Sequence, residues 1–356
     1  MVYTSGSTGK PKGVLKSHKA VASFIKAYVA EFDLPRDIII GNQTPFFFDA
    51  SAKDIYLMLY LGATMEVIPS ELFMFPPKLI EYLNEKEISF ICWVPTALAM
   101  VTQINTFKSV LPKYLKWVFF VGEVFPVKQL KKWLETLPEL TYVNLYGSTE
   151  IAGISCYYTI DPKTEIDILP MGKALANCQV FLYDNEAHDK IQTSDTETVG
   201  EVCVASEALA LAYYHDPEKT ASVFVSMPVG EEGRKVRVLK TGDLARYDTK
   251  GNLVFASRKD FQIKHMGRRI ELGEIESVAD KLEDIVRCCC LYEQEKKKIR
   301  LFCQLREGCE KTGKDIKEEL KAHLSDYMGP NVVKILDEMH LNANGKINRT
   351  LLKEMK

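Results

Sequence analysis

The sequence predicts an α/β protein with a large first domain and a small α+β domain at its C-terminal end. Between Gly62 and about Leu140, strand-like and helical stretches alternate, which is typical of a mainly parallel sheet with helical crossovers. From Gly200 the chain becomes rich in strand-like segments, and from Phe261 strands and helices form a separate block. The 356 residues are enough for two domains. We place them at residues 1–260 and 261–356.

Composition is that of an ordinary globular protein. Hydrophobic residues make up 46% and charged residues 26% of the sequence, and the net charge is −2. This balance gives no electrostatic reason to expect nucleic acid or an anionic membrane as a partner. No apolar run approaches the ~20 residues of a membrane helix, so we expect no membrane insertion. The nine cysteines lack paired CxxC spacing and no signal peptide opens the chain, which predicts a cytoplasmic protein with reduced thiols.

The first functional signal is a loop at residues 3–13 that is rich in glycine, hydroxyl groups and lysine. Glycine lets the backbone turn sharply towards a ligand, and hydroxyls and lysines supply donors and charge for phosphate oxygens. It is not a Walker A loop, because Thr4 replaces the first glycine and Pro11 replaces the Ser/Thr. From residue types alone, a phosphate loop and a flexible polar loop are equally good interpretations. The candidates for phosphate contacts are Thr4, Ser5, Gly6, Ser7, Thr8, Gly9 and Lys12.

After this loop, apolar residues between Val21 and Tyr28 recur at helical spacing, which predicts a helix. Ser17 is its expected N-cap, and His18 is expected at the helix start. Further along, Asp49 follows three phenylalanines and precedes an apolar run at 55–61. A carboxylate in such surroundings costs desolvation free energy unless it is paired. Taken alone, Asp49 is best interpreted as a helix N-cap, with a salt bridge to a ligand ammonium group as the alternative.

Two further segments carry groups that suit a nucleotide. A strand-like stretch runs through Tyr146 into Gly147, and Thr149 and Glu150 follow. Tyrosine can stack on a base, and the two oxygen-bearing side chains can bind Mg²⁺ or phosphate-bound water. A tight turn before a helix is the structural alternative. Asp243 could accept two hydrogen bonds from a ribose diol, although aspartate after glycine is also common in turns.

The β-rich segment contains Asp216-Pro217, which predicts a turn. In the last block we expect a helix that starts near Glu274 and continues through Ala279 to Ile285. Strands are predicted at 288–292 and 299–305, around a solvated lysine-rich turn. Lys346 lies on a glycine-containing turn, where a lysine is ordinarily exposed and inert.

The strings at 3–13, 142–150, 239–247, 269–276 and 341–349 resemble, in order, the motifs of the adenylate-forming (AMP-binding) superfamily. This superfamily includes acyl-CoA synthetases, luciferases and the adenylation domains of nonribosomal peptide synthetases. The resemblance covers essentially the whole chain, with one departure at Ser257, where the family usually has glycine. It implies a large domain made of a parallel-sheet subdomain and a distorted β-barrel, followed by a small mobile lid domain.

The resemblance also implies ATP and Mg²⁺ as cofactors and a role for each motif residue. By this similarity Tyr146 stacks on adenine and Gly147 belongs to the cofactor site. Thr149 contacts phosphate, Glu150 binds Mg²⁺, Asp243 binds ribose and Arg258 contacts ribose or phosphate. Asp260 is the hinge between the domains, and Lys346 is the catalytic lysine that bridges the carboxylate and the α-phosphate.

The family's Phe-Asp-x-Ser motif, matched at 48–51, implies that Asp49 holds the α-amino group of an amino acid; acyl-CoA synthetases generally lack it. Segments 48–56 and 122–124 are most similar to D-alanine:D-alanyl carrier protein ligases. A rough alignment places the following residues in the amino-acid pocket: Ala50, Lys53, Cys92, Phe119, Val121, Leu145, Gly153 and Ile154.

The resemblance implies amino-acid adenylation by ATP, followed by transfer to the phosphopantetheine thiol of a carrier protein. The alternatives are an acyl- or aryl-CoA synthetase, and an inactive fragment that only binds nucleotide or carrier protein. Family members carry a long segment before the phosphate loop, whereas Met1 lies inside the strand that feeds it here. We therefore expect a truncated product, a misplaced start codon, or a split enzyme whose separate chain supplies the N-terminal part.

Overall fold

The computed structural model describes residues 1–4, 11–229, 234–259, 262–340 and 347–355. It divides the chain into two compact units, of which the first contains residues 1–3 and 13–259 and the second residues 4–12 and 260–356. Within the described ranges, every helix is too short or too polar to span a bilayer. The assignment of residues 1–260 and 261–356 to a large and a mobile small domain stays a prediction.

Helices and strands alternate through the first half of the chain. In chain order they are β1 (Val2–Thr4), β2 (Lys12–Leu15), α1 (His18–Phe32), β3 (Ile39–Asn42), α2 (Asp49–Leu61), β4 (Thr64–Val67), α3 (Pro76–Glu85), β5 (Phe90–Trp93), α4 (Pro95–Gln103), β6 (Trp117–Val121), α5 (Val127–Thr136), β7 (Thr141–Tyr146), β8 (Cys156–Ile160) and β9 (Lys173–Ala174).

A seven-stranded sheet is formed in the order β4-β3-β5-β6-β7-β8-β9. The strands from β4 to β7 in this order are parallel, and β8 and β9 add antiparallel strands at one side. The predicted alternation of strands and helices is confirmed. Because the carboxyl ends of parallel strands meet at one edge of the sheet, β5, β6 and β7 all end where a ligand is expected to bind.

The helices cover both faces of this sheet, which explains why its central strands are apolar throughout. Neighbouring residues on a strand point to opposite faces. Phe119 therefore packs on one side, against Phe32 and Phe90 with ring centroids 4.8 and 5.1 Å away. Phe120 packs on the other side, against Phe125 at 4.9 Å. The sheet thus separates two apolar cores.

The predicted N-cap at Ser17 is confirmed, since its hydroxyl accepts a hydrogen bond from the Ala20 N–H at 3.0 Å. His18 is the first residue of α1, as expected.

The β-rich part of the first unit forms a second, antiparallel sheet. Its elements are β10 (Cys178–Asp184), β11 (Asp189–Lys190), β12 (Gly200–Ser206), β13 (Ala212–Tyr213), α6 (Pro217–Val223), β14 (Phe224–Val229), β15 (Arg234–Tyr247) and β16 (Leu253–Arg258). The strand order is β11-β10-β12-β15-β14, and β16 also pairs with β15. Strand β13 instead pairs antiparallel with β2.

One expectation for this segment was wrong. Asp216-Pro217 begins α6 and is not a simple turn, because the Asp216 side chain accepts a hydrogen bond from the Lys219 N–H as an N-cap. Aspartate is a strong N-cap, and proline suits the first helical position that follows it.

The second unit contains two small sheets and three helices in its described part. Its elements are β17 (Gln262–His265), β18 (Arg268–Glu271), α7 (Leu272–Ala279), β19 (Ile285–Glu293), β20 (Lys298–Leu305), α8 (Gly313–Lys321), β21 (Val332–Leu336) and α9 (Arg349–Glu354). Strands β17 and β18 pair as a hairpin, and β19-β20-β21 form a three-stranded sheet. The strands predicted at 288–292 and 299–305 are confirmed as parts of β19 and β20.

The helix predicted from Glu274 to Ile285 was wrong in its second half. Helix α7 ends at Ala279, and Ile285 opens β19. Leu282 and Ile285 nevertheless belong to the same apolar core as Ala279. The helical spacing of these residues therefore reflects a core shared by two elements, and periodicity alone cannot separate that case from one long helix.

A buried ion pair joins two neighbouring residues of α2. Lys53 and Asp54 have side chains that are 5% and 1% exposed, and the lysine ammonium bonds to Asp54 Oδ1. Asp54 Oδ2 also accepts a hydrogen bond from Asn42 Nδ2 at 3.0 Å. Burial by itself lowers the pKa of Lys53, but the adjacent Asp54 carboxylate and Cys92 together outweigh burial and raise it overall. The lysine is therefore a buried cation that depends on its neighbour.

Replacing Lys53 by methionine should lower the free energy of unfolding by about 3–5 kcal/mol, because it leaves a buried carboxylate without its cation. Lys53→Met combined with Asp54→Asn should recover most of that loss. Urea denaturation measures both variants. Lys86→Met is the matched control, because Lys86 pairs with its own neighbour Glu85 on an exposed surface, and its midpoint should not move. Equal losses at the two lysines would contradict burial as the cause.

A glycine ties the central sheet to the second sheet. Gly172 has φ +87°, and a Cβ there would lie 1.9 Å from the Tyr157 carbonyl oxygen. Its own carbonyl accepts a hydrogen bond from the Leu253 N–H at 3.0 Å. Gly251 has a similar φ of +75°, but a Cβ there would meet nothing within 4 Å. The two positions therefore share the backbone conformation and differ in the space around it.

Gly251→Ala should cost about 1–2 kcal/mol of unfolding free energy, which is the cost of a left-handed backbone for a residue with a Cβ. Gly172→Ala should cost about 2 kcal/mol more, because a backbone carbonyl cannot yield as a side chain can. Chemical denaturation of both variants checks the difference. Equal destabilisation would show that the contact with Tyr157 does not restrict this position.

Candidate active site

The turn after β7 brings three predicted residues together. Gly147 follows Tyr146 directly, and a Cβ on Gly147 would lie 2.3 Å from the Gly153 carbonyl oxygen. Only glycine permits this close approach of two chain segments. Residues 148–150 form a turn that no helix follows, so the structural alternative of a helix start was wrong. The Glu150 carbonyl accepts a hydrogen bond from the Ala210 N–H at 2.8 Å, so it is engaged outside any helix.

A buried carboxylate connects this turn to the second sheet. Asp243 lies on β15 and its side chain is 1% exposed. The Tyr146 hydroxyl donates a hydrogen bond to Asp243 Oδ2 at 2.5 Å, and the Arg258 guanidinium pairs with Oδ1. Arg258 stands directly opposite Asp243 in the β15–β16 register. Three residues from distant motifs, all predicted to bind the nucleotide, are therefore in direct contact.

Burial, and next the Asp243 carboxylate, raise the pKa of Tyr146 well above its ordinary value. The phenol therefore stays protonated at every physiological pH and always serves as a donor. An arginine guanidinium always carries its proton in proteins, so Asp243 is held by one neutral and one charged donor. This arrangement sets the carboxylate in one orientation.

Asp49 is the first residue of α2, and its carboxylate pairs with the ammonium of Lys16, which directly follows β2. The N-cap of the helix is Phe48, with no capping hydrogen bond from a side chain, so the simpler interpretation of Asp49 as an N-cap was wrong. Burial raises the pKa of Asp49, the Lys16 cation opposes that shift, and the Glu150 carboxylate adds to it. Asp49 thus holds an ammonium group in a low-dielectric position beside a second carboxylate.

Glu150 is buried and accepts a hydrogen bond from the Tyr213 hydroxyl at 2.6 Å. Thr149, in the same turn, lowers the pKa of the Asp49 carboxyl group. Two carboxylates this close together attract cations, either a ligand ammonium group or Mg²⁺. In the described ranges no three His, Cys, Asp or Glu side chains could hold a metal ion together. The donors present fit Mg²⁺, which is often bound through one or two carboxylates and substrate phosphates.

Lys16 and Tyr213 were not predicted as site residues. Lys16 lies three residues beyond the end of the glycine-rich loop, and Tyr213 lies in a short strand far from any recognised motif. No local pattern marks either residue. Both come to the site through the pairing of β2 with β13, which places Tyr213 opposite Val14.

The predicted pocket residues are mostly buried along neighbouring strand ends. The register sets Cys92 beside Phe119, and Val121 beside Leu145. Burial raises the pKa of the Cys92 thiol to about 11 even though the Lys53 cation opposes the shift, so this cysteine is neutral. Ala50 lies next to Asp49 on α2, and Ile154 is buried after Gly153, whose φ is +120°. Their role in binding a side chain stays a prediction.

Several predicted residues lie outside the described residues. These are Ser5, Gly6, Ser7, Thr8 and Gly9 of the phosphate loop, Asp260 of the hinge, and the catalytic candidate Lys346. At the edges of the loop, Thr4 ends β1 and Lys12 opens β2. Lys12 is grouped with the second unit, where its ammonium lies 2.6 Å from Glu271 Oε1.

Described residues before and after positions 341–346 make contacts within the second unit. The Asn348 N–H donates a hydrogen bond to the His340 carbonyl at 2.8 Å. Arg349 then donates two hydrogen bonds to the Glu276 carboxylate, at 2.7 and 2.9 Å, and one to the Cys290 carbonyl at 2.9 Å. The guanidinium is thus held at three acceptor atoms by charge-assisted hydrogen bonds, which restricts its geometry.

Known proteins are similar in sequence or fold to almost the whole chain. The model of the family described as "AMP-binding enzyme" matches residues 1–214. Zwittermicin A synthase ZmaJ of Bacillus cereus is 31% identical over 99% of this chain, which spans 67% of that protein. The L-proline--[L-prolyl-carrier protein] ligase of Streptomyces coelicolor is 32% identical over 97% of this chain, which spans 64% of that enzyme.

Among solved structures, the Vibrio cholerae adenylation domain AlmE, in complex with glycyl-adenosine-5′-phosphate, superposes with a TM-score of 0.83. It is 22% identical, and the match covers 99% of this chain and 65% of that chain. This likeness supports the α/β large domain and its second sheet. The resemblance indicated by the sequence motifs is confirmed: the chain belongs to the AMP-binding enzyme family of adenylate-forming ligases.

Proposed function

We propose that this chain activates an amino acid with ATP, forming an aminoacyl adenylate and releasing pyrophosphate. The observation that carries the proposal is the ion pair of Asp49 with Lys16. A partly buried carboxylate that already holds an ammonium group beside Glu150 is suited to hold the amino group of a substrate. A fatty or aryl acid has no group that would need this carboxylate.

In the proposed reaction the substrate carboxylate attacks the α-phosphorus of ATP in line, and the bond to pyrophosphate breaks. Such a reaction needs little covalent chemistry from the protein, so positioning and charge neutralisation supply the rate. Asp243 would orient the ribose through its diol, Tyr146 would stack on adenine, and Thr149 would contact phosphate. Mg²⁺, held by Glu150, would neutralise charge on the phosphate oxygens.

The second unit would supply Lys346, whose ammonium would bridge the substrate carboxylate and the α-phosphate. What supports this role is the match of residues 341–349 to the family motif, and Asn348 and Arg349 of that motif are fixed by hydrogen bonds to His340 and Glu276. A change at Asp260 would then let this unit act as a mobile lid. The acceptor we propose is a carrier-protein phosphopantetheine thiol, in keeping with the name of the Streptomyces relative.

For the amino acid we propose D-alanine, on the similarity of segments 48–56 and 122–124 to D-alanyl carrier protein ligases. Amino-acid-dependent ATP–pyrophosphate exchange tests this choice. The panel contains D-alanine, L-alanine, glycine and L-proline, together with a wider set of amino acids, fatty acids and aryl acids. Exchange with an amino acid supports the proposed activity and names the substrate. Exchange only with a fatty or aryl acid would point to an acyl-CoA synthetase.

Asp49→Ala should lower kcat/KM for the amino acid by about 30-fold, because the loss of one partner of a hydrogen-bonded charge pair shielded from water costs about 2 kcal/mol or more. Pyrophosphate exchange measures this loss at saturating ATP. Glu31→Ala is a suitable control, since Glu31 is a partly buried carboxylate of the same unit that bonds to Tyr157 instead. An Asp49→Ala variant with unchanged kcat/KM would refute recognition of the amino group by this residue.

Lys346→Ala should lower kcat for adenylation about 100- to 1,000-fold while ATP still binds, because the lysine would act on charge that develops in the transition state. Single-turnover adenylation and calorimetric ATP binding separate these two effects. Lys296→Ala, in the exposed lysine-rich turn of the same unit, is the control. If both lysine variants retain kcat, the proposed catalytic role of Lys346 is wrong.

A further inference from the structure

We propose that Glu201 is a positioning residue for nucleotide binding: it holds the bulge of β15 from which Asp243 would contact the ribose. This inference rests on the proposed role of Asp243. No sequence motif marked Glu201, which lies on β12 of the second sheet. Its carboxylate is buried, with a side chain 4% exposed.

A bulge at residues 241–243, within β15, interrupts the hydrogen-bond ladder between β12 and β15. Glu201 pairs with Leu244 and Cys203 pairs with Lys240, so β15 carries extra residues between these two positions. Such a bulge bends the strand and redirects a side chain. Gly242 occupies its centre with φ +74°, a conformation that glycine adopts at low cost. The bulge is what directs Asp243 towards Tyr146 and Arg258.

An extra residue in a strand leaves its backbone groups without ladder partners, and buried groups of this kind need others. Glu201 Oε1 accepts a hydrogen bond from the Gly242 N–H at 3.1 Å. The Gly242 carbonyl accepts from the Lys259 N–H at 2.8 Å. Thr241 donates its hydroxyl to the Val202 carbonyl at 2.8 Å. Glu201 therefore supplies the acceptor for the central N–H of the bulge.

The other oxygen of the carboxylate keeps Glu201 itself in place. Glu201 Oε2 accepts from Asn185 Nδ2 at 3.1 Å and lies 3.3 Å from the Lys240 ammonium. The Lys259 ammonium is 3.7 Å away. A buried carboxylate with this many donors holds one rotamer, so the Gly242 N–H meets a rigid acceptor. Lys259 thereby contacts both the bulge and the residue that holds it.

A merely structural role for Glu201 makes a different prediction from a positioning role. Loss of general stability would weaken every nucleotide alike, whereas displacement of Asp243 would weaken only contacts with the ribose hydroxyls. The discriminating probe is 2′,3′-dideoxy-ATP, which lacks those hydroxyls. The readout is the ratio of the Kd for 2′,3′-dideoxy-ATP to the Kd for ATP, measured calorimetrically on the full chain.

Glu201→Ala should weaken ATP binding about tenfold, the effect of losing one hydrogen bond to a charged group, and should leave 2′,3′-dideoxy-ATP binding unchanged. The Kd ratio then falls towards one. Glu201→Gln keeps an acceptor for the Gly242 N–H and should retain the wild-type ratio. Glu201→Asp keeps the charge but shortens the side chain, so it should behave like Glu201→Ala and serves if the alanine variant does not fold.

Glu31→Ala is the matched control, because it also removes a partly buried carboxylate of the same unit. Its Kd ratio should remain that of the wild type. Equal weakening of both nucleotides by Glu201→Ala or Glu201→Asp would show a structural role only and overturn the inference. An unchanged ratio in either folded variant would do the same. A wild-type chain that binds the two nucleotides equally would instead overturn the proposed ribose contact of Asp243, and the inference with it.

Discussion

The buried carboxylate of Asp243 is the contact on which the proposed nucleotide site of the first unit depends. Tyr146 reaches it from the end of the central parallel sheet, and Arg258 reaches it from the neighbouring strand of the second sheet. A carboxylate with so little exposure needs both donors, because an unpaired buried charge is costly. Residues from the central sheet and from the second sheet therefore meet at this one carboxylate.

The same principle arranges the other half of the site. Glu150 lies close enough to Asp49 to raise the pKa of its carboxyl group, and the structure compensates with Lys16 at Asp49 and the Tyr213 hydroxyl at Glu150. These compensating groups stand where a substrate ammonium and a metal ion are proposed to bind. Glu201 continues the pattern, since its buried charge is balanced by lysines while it holds the turn that presents Asp243. Buried charges with specified partners thus determine where ligands fit.

Local patterns were sufficient wherever a segment depends on its own periodicity or chemistry. The alternation in residues 62–140 predicted the parallel sheet, and Ser17 was identified as an N-cap. Four structural interpretations were wrong, and two of them share one cause, which is tertiary contact overriding a local preference. A core shared by α7 and β19 imitated one long helix, and a hydrogen bond from Ala210 kept Glu150 out of a helix. The other two errors are local: the Asp216 side chain caps the start of α6, and Phe48 instead of Asp49 is the N-cap of α2.

By itself the sequence determined the α/β class, the order of the motifs and the family, because these depend on residue types and spacings along the chain. Only the tertiary structure decided that Tyr146 donates a hydrogen bond to Asp243 and that Lys16 forms an ion pair with Asp49. It alone also decided that Glu201 accepts a hydrogen bond from the Gly242 N–H. These partners come from different strands, and no local rule relates them. Their contacts follow from strand pairing, from a bulge in β15 and from the packing of two sheets, which are properties of the folded chain as a whole.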